Sequence, residues 1–283
     1  MAHAVTVFFV CVGVIAVVAV AALFGWRHAD RRADAAAWRA LLEMRPIQSG
    51  SFSPAMVAGL PEPAQRYFLY TIAEGTPLRT ITIIEMEGQL GRGDRNRSHF
   101  DPMQARQVLA PPHGFVWRVR AGAIRGSDAA TPDTSWTRFW LFGLVPVVRI
   151  SGDADHFRSA FGRTVAEAAF WTPAALLPGP NVRWEALDAD SARAIVSFAG
   201  LEQSVDIIVD SQGQPTSVVI ARWSDVNADK VYQVQPFGGT TSDFREFGGY
   251  RLPTRIEGGN WFGTDDYFPF FKADVTSISF PDR

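Results

Sequence analysis

Cysteine is almost missing from this chain: its 283 residues hold one, Cys11, inside an apolar run. No disulfide can close within one copy, and no thiolate cluster can hold a metal. The histidines His3, His28, His99, His113 and His156 stand singly, without the paired or His-carboxylate spacing that a metal site needs. Excess basic charge is also missing, since 27 Lys and Arg face 29 Asp and Glu for a net charge of -2. Nucleic-acid binding needs a basic field along the backbone, so it is set aside. Phosphate-loop, G-x-G-x-x-G, H-E-x-x-H and G-x-S-x-G patterns do not occur. Together these absences predict no metal, no cofactor and no nucleic-acid partner.

What is present begins with Ala4 to Trp26, an uncharged apolar segment. At 1.5 Å per residue it crosses the roughly 30 Å hydrocarbon core of a bilayer, with Trp26 at an interface. A cleaved signal peptide would normally open with a basic region, and only Met1, Ala2 and His3 precede the run. An uncleaved transmembrane anchor over residues 1–26 is the better expectation. Cys11 comes too early in the run to be a lipidated lipoprotein cysteine. Arg27, Arg31, Arg32, Arg39 and Arg45 follow the span and no Lys or Arg precedes it, which by the positive-inside rule puts the large domain in the cytoplasm.

Residues 27–59 read as a juxtamembrane helix and linker. Trp38, Leu41 and Leu42 give the helix an apolar stripe suited to a membrane surface or a solvated stalk, and Pro46, Gly50 and Pro54 mark the break. The remaining residues, 60–283, form one β-rich domain. A short helix opens at Pro61 and Pro63 and carries Tyr67, Phe68, Tyr70 and Ile72. From Arg79 the period changes to two: Thr82, Ile84, Met86 and Leu90 alternate with Ile83, Glu85, Glu87 and Gln89. Strand-like runs then continue to "KADVTSISF", with "DADS", "DSQGQP" and "QPFGG" as turn signals between several of them. In "SDFREFGGYRLPTRIEGG", Tyr250, Leu252, Thr254 and Ile256 face one way, and Gly248-Gly249 supplies a tight hairpin turn. One helix interrupts the series, entered at Asp153 and Asp155, ended by Pro173, with Phe157, Phe161, Val165 and Ala168 on one face.

Chemistry-bearing constellations are weak. Glu85 with Glu87, Asp243, Glu257 and the pair Asp265-Asp266 are acids without an evident shifted environment. His156 beside Asp153 and Asp155 reads better as a helix-start cluster than as a dyad. Aromatic content is the positive signal, with 9 Trp, 21 Phe and 5 Tyr. Such side chains on the concave side of a curved sheet can line a pocket for an acyl chain or simply fill a core. The residues expected to line a cavity are Trp184, Phe198 and Trp223 from strands and Phe157 and Phe161 from the helix. "FWLFGLVPVV", residues 139–148, is either buried hairpin or an exposed apolar lip.

The hairpin at residues 242–259 resembles a late hairpin of the lipoprotein-carrier (LolA-type) fold, an antiparallel half-barrel wrapped around helices. That resemblance implies an extracytoplasmic domain that holds a lipid or a lipidated protein, against the arginine count. A wider stretch, roughly residues 60–280, resembles an uncharacterised bacterial family of membrane-anchored proteins. It is carried by Leu60-Pro61-Glu62-Pro63 with Arg66-Tyr67, Gly114-Phe115-Val116-Trp117, Phe170-Trp171-Thr172-Pro173 and Val182-Arg183-Trp184-Glu185. The expected protein is therefore mainly β (α+β): an N-terminal transmembrane helix, then a curved antiparallel sheet or half-barrel around one or two helices. Its expected role is non-enzymatic, binding a lipid, another apolar ligand or a lipidated partner. A filled-core envelope scaffold and a hydrolase acting on lipid or glycan are the alternatives.

Overall fold

A computed structural model describes residues 1–45 and 50–281; Pro46, one of the expected linker residues, lies outside them. Helix α1 (Ala2–Glu43) runs unbroken through the expected boundary at residue 26. Its apolar part has a mean hydropathy of 3.1 and none of it is covered by the rest of the chain, so it is long and apolar enough to cross a membrane. Helix α2 (Glu62–Thr71) follows, opened by Pro61 and Pro63. Six strands come next: β1 (Thr82–Arg92), β2 (His99–Ala110), β3 (Gly114–Ala121), β4 (Ile124–Thr131), β5 (Thr134–Leu141) and β6 (Val145–Ser151). Helix α3 (Ala154–Trp171) leads to seven more: β7 (Val182–Ala186), β8 (Ser191–Phe198), β9 (Leu201–Val209), β10 (Pro215–Ser224), β11 (Gln233–Phe247), β12 (Tyr250–Asn260) and β13 (Phe268–Ser279).

All thirteen strands form one antiparallel sheet, ordered β6-β5-β4-β3-β2-β1-β13-β12-β11-β10-β9-β8-β7. Two meanders, β1 to β6 and β7 to β13, are joined in space by β1 pairing with β13. In sequence they are joined by α3, which carries the chain from one sheet edge to the other. The curvature follows from lengths. In a flat sheet β5 and β9 would stand about 43 Å apart, nine spacings of ~4.8 Å, whereas the 18 residues of α3 reach only about 27 Å. Yet α3 touches β2, β3, β4, β5, β9, β10 and β12. The sheet must curl around it as an open half-barrel, as expected.

The turn Gly248-Gly249 is made with φ of 58° and 90°, the left-handed values that a two-residue hairpin requires. Tyr250, Leu252, Thr254 and Ile256 are buried on the concave side, while Arg251 and Arg255 face water. The expected turn at "QPFGG" does not exist: β11 runs straight through it, Gly238 opposite Gly259 and Gly239 opposite Gly258. These glycines serve close approach instead, since a β-carbon on Gly239 would lie 2.0 Å from the Glu257 carbonyl oxygen.

The juxtamembrane expectation also needs correcting. Neither membrane surface nor solvent takes the stripe of Trp38 and Leu41; it packs on the outer face of the half-barrel against Val108, Val116, Ala129 and Trp136. Those strands are apolar on both faces, so a helix must cover the second one. Arginines of the sheet lock the contact. Arg118 Nε donates to Asp34 at 2.5 Å, and Arg149 makes a two-pronged bond to Asp30 at 2.7 and 2.9 Å. Trp140 Nε1 donates to Asp30 at 3.0 Å, and its ring stands edge-on to Trp26 at 5.7 Å. Along β5, then, Trp136 meets the Leu41 end of α1 and Trp140 meets Trp26, so this strand runs toward the apolar end of the helix. Beyond it, the tip of the β5–β6 hairpin exposes Phe142 (72%), Leu144 and Val145.

Candidate functional site

Between α3 and the middle of the sheet lies a cavity of about 700 Å³. Aromatic and aliphatic side chains make most of its wall, among them Trp117, Phe139, Val148, Phe237, Ile256 and Phe271. Its floor is bare where the paired Gly239 and Gly258 sit opposite each other on β11 and β12. A glycine in a strand leaves the space a side chain would take, and two paired across adjoining strands leave a trough. From the helix side the lining is Arg163, Ala166, Glu167 and Phe170, one stripe at i, i+3, i+4 and i+7. Phe139, Leu141, Val147 and Val148 of the β5–β6 hairpin complete one wall, so the cavity is continuous with the exposed apolar tip.

Charged groups interrupt this wall at one place. Arg163 donates from Nη1 to Asp128 at 2.7 Å, from Nε to Glu167 at 2.6 Å and from Nη2 to Gln107 at 3.1 Å. Gln107 Nε2 donates in turn to Glu167, and Thr137 Oγ1 donates to the other oxygen of Asp128 at 2.8 Å. Burial works against the Arg163 charge, but the attraction and hydrogen bonds of Glu167 and Asp128 outweigh it and raise its pKa. The guanidinium also lies over the Phe115 ring at 4.3 Å. This group is a closed, saturated network.

Arg222 from β10 is different. Its Nε donates to Ser159 at 3.2 Å and its guanidinium lies 4.7 Å from the Phe237 ring centroid. Among the described residues its terminal nitrogens make no hydrogen bond and no carboxylate stands within ion-pair distance. Burial lowers its pKa, and the more distant attraction of Asp128 and Glu167, opposed by Arg163, does not restore it. Two indole N–H groups, of Trp117 and Trp171, are likewise buried in the wall without an acceptor among the described residues.

None of the five residues expected to line a cavity lines this one. Trp184 packs at 5.4 Å on Phe68 and donates from Nε1 to the Leu176 carbonyl at 2.9 Å. Phe161 and Phe198 face each other at 6.4 Å, with Phe198 also against His113. Trp223 stacks on Tyr232 and donates to Asp155 at 2.7 Å. Phe157 sits half-buried in the first turn of α3. The physical reason is rotational: the apolar stripe of α3 through Phe161, Val165 and Ala168 fills core, and the stripe beside it faces the cavity. The acids fare similarly. Asp243 pairs with Arg255 and Glu257 with Lys272 at the surface, while Glu85 pairs with Arg106 and lies with Glu87 in the wall of a separate, outer concavity. Asp153 caps α3 by accepting from the Asp155 amide at 2.8 Å, and His156 turns to Ser135 and Thr137 instead.

A second concavity, of about 590 Å³, opens between α1 and the outer face. Charged side chains, among them Arg27, Arg31, Asp34, Glu85 and Arg106, line it beside Met86, Ala105 and Val119. Among the described residues no group of His, Cys, Asp or Glu could hold a metal.

A family model described as a family of unknown function (DUF6544) matches residues 50–273. The chain belongs to that family. The matched range takes in α2, α3 and nearly all of the sheet, and leaves out α1. No curated protein matches the chain. Among solved structures it is similar to a LolA superfamily protein from Nitrosomonas europaea, at 11% identity over 78% of this chain and 93% of that one, with a TM-score of 0.41. It is also similar to an outer membrane lipoprotein-sorting protein domain from Vibrio parahaemolyticus, at 12% identity over 71% and 85%, with a TM-score of 0.38.

Proposed function

We propose that this protein is a membrane-anchored container that holds the acyl chain of a lipid, or of a lipidated partner, between α3 and the sheet. The observation that carries the reading is the cavity of about 700 Å³ with its predominantly apolar wall. That size is ordinary for a ligand pocket, and burial of each methylene is worth about 0.8 kcal/mol. The residues we assign to chain binding are Trp117, Phe139, Phe237, Ile256 and Phe271 in place of the five expected from sequence. Anchoring by α1 is supported by its apolar, uncovered first half. A mouth at the bilayer surface is supported by the exposed hairpin tip at Phe142, which continues past Trp140 on the side where Trp26 leaves the apolar segment.

The test is native mass spectrometry of the full chain extracted in mild detergent, followed by identification of any co-purifying lipid. A stoichiometric lipid supports the container. A ligand-free mass that persists after incubation with phosphatidylethanolamine and phosphatidylglycerol vesicles removes it and leaves a protein-interaction domain. Reporters fused after Arg283 then decide the membrane side, alkaline phosphatase being active outside the cytoplasm and green fluorescent protein within it.

A further inference from the structure

We propose that Arg222 is the head-group anchor of the cavity, and that the ligand is an amphiphile whose apolar chain carries an anionic oxyacid, a carboxylate or a phosphate ester. This rests on the container reading above and names the chemistry of its ligand.

Two arginines stand in the same cavity under opposite conditions. Each guanidinium nitrogen of Arg163 donates one bond, to Glu167, Asp128 or Gln107, and both of those acids are held by further partners. The network has no free oxygen to offer a second guanidinium. Arg222 has one hydrogen bond, to a serine hydroxyl, and a ring face. A guanidinium presents five donors in a rigid planar fork that matches two oxygens of a carboxylate or phosphate. Arg222 is half-buried, and a charge partly withdrawn from water without a partner is costly. An arginine kept in that state beside an apolar trough is explained when an anion arrives with the ligand. The ring of Phe237 and the bare strand at Gly238 and Gly239 lie next to it, so a chain leaving the head group would run directly onto apolar wall.

A neutral polar ligand such as an alcohol would fill one donor and leave the rest of the fork unpaired. A cationic head would meet Arg222 and Arg163 as like charges. Charge therefore selects among amphiphiles that the apolar wall alone would accept equally.

The experiment compares three ligands of one chain length, palmitate, hexadecyl phosphate and hexadecanol, titrated into the full chain in detergent and read by native mass spectrometry. The wild type is expected to bind palmitate or hexadecyl phosphate at least ten-fold more tightly than hexadecanol. The better of the two anions names the source, a free fatty acid or a phospholipid-type head. Arg222→Gln should erase that preference, bringing both anions down toward hexadecanol, and hexadecanol binding that persists shows that the cavity is intact. Arg222→Lys, keeping the charge without the fork, should retain part of it. Should Arg222→Gln fail to fold, the wild-type ratio and the lysine variant still decide. Equal affinity of the wild type for all three ligands, or a preference that survives in Arg222→Gln, overturns the assignment and leaves the container standing. Binding of none of the three overturns both.

Discussion

Gly258 offers a direct way to separate a container from a filled core. It lies on β12 two residues beyond Ile256, on the cavity side, with φ outside the left-handed region. A β-carbon built on it meets only the Gly238 carbonyl oxygen, at 3.6 Å, which is ordinary contact. Gly258→Leu should therefore place four carbons in the trough without moving the backbone. Displacing roughly four methylenes of a bound chain at about 0.8 kcal/mol each costs about 3 kcal/mol, or on the order of 100-fold in affinity. Stability should move the other way. Burying the leucine gains about 1.5–3 kcal/mol, less roughly 0.5–1 kcal/mol for fixing its rotamer. A gain of about 1–2 kcal/mol corresponds to a Tm rise of roughly 2–8 °C for a domain of this size. Ligand titration by native mass spectrometry and tryptophan-monitored thermal unfolding of the full chain read the two effects. Unchanged lipid binding with a raised Tm would place the ligand elsewhere, and a fall in Tm would mean that the trough is not empty at Gly258.

Three further outcomes follow from the packing. Leu41→Ala, at a fully buried contact of α1 with the sheet, should cost roughly 2–5 kcal/mol in thermal or denaturant unfolding; a solvated stalk helix would lose almost nothing. Arg163→Met strands Asp128 and Glu167 in the cavity wall, which should cost about 3–5 kcal/mol, measured by the same unfolding assay. His156 titrates in the opposite sense from a salt-bridged histidine. Burial lowers its pKa more than Asp128 and the other nearby acids raise it, so the unfolded chain takes up a proton at a pH where the folded one does not. Its contribution is complete above the unfolded value of about 6.5 and is lost as pH falls toward the folded value. Unfolding curves between pH 7.5 and 5 should show this loss, and His156→Gln should flatten the slope.

Local pattern was enough wherever one element decides its own conformation. The β11–β12 hairpin needs two left-handed residues and an alternating arm, and Gly248-Gly249 followed by Tyr250, Leu252, Thr254 and Ile256 supplies both. The α3 boundaries need a capping carboxylate and a proline stop, and Asp153 and Pro173 are these. By contrast β4, "IRGSDAAT", carries few strand formers; it exists because β3 and β5 pair with it on both sides, a tertiary cause that overrides propensity. The outward-facing apolar residues of β2 and β3 need a cover, and no local pattern shows that the cover is the continuation of the apolar N-terminal helix.

The cavity was hidden for a more general reason. Side-chain size points to large aromatic residues, and these are the ones most able to fill space: Trp184 does so against Phe68, and Phe161 against Phe198. Empty volume comes from residues that lack bulk, here Gly239 and Gly258, paired across two strands by a register that no single segment reveals. The usable signal was the pair of glycine doublets, "FGGTT" and "EGGN", in segments otherwise built as strands. Read as turns, they end strands; read as paired strand interiors, they open a trough. The second reading also explains why the cavity-facing stripe of α3 alternates charge with small and aromatic residues. With no side chains rising from the floor to meet it, that stripe can carry the Arg163 network and leave room beside Arg222.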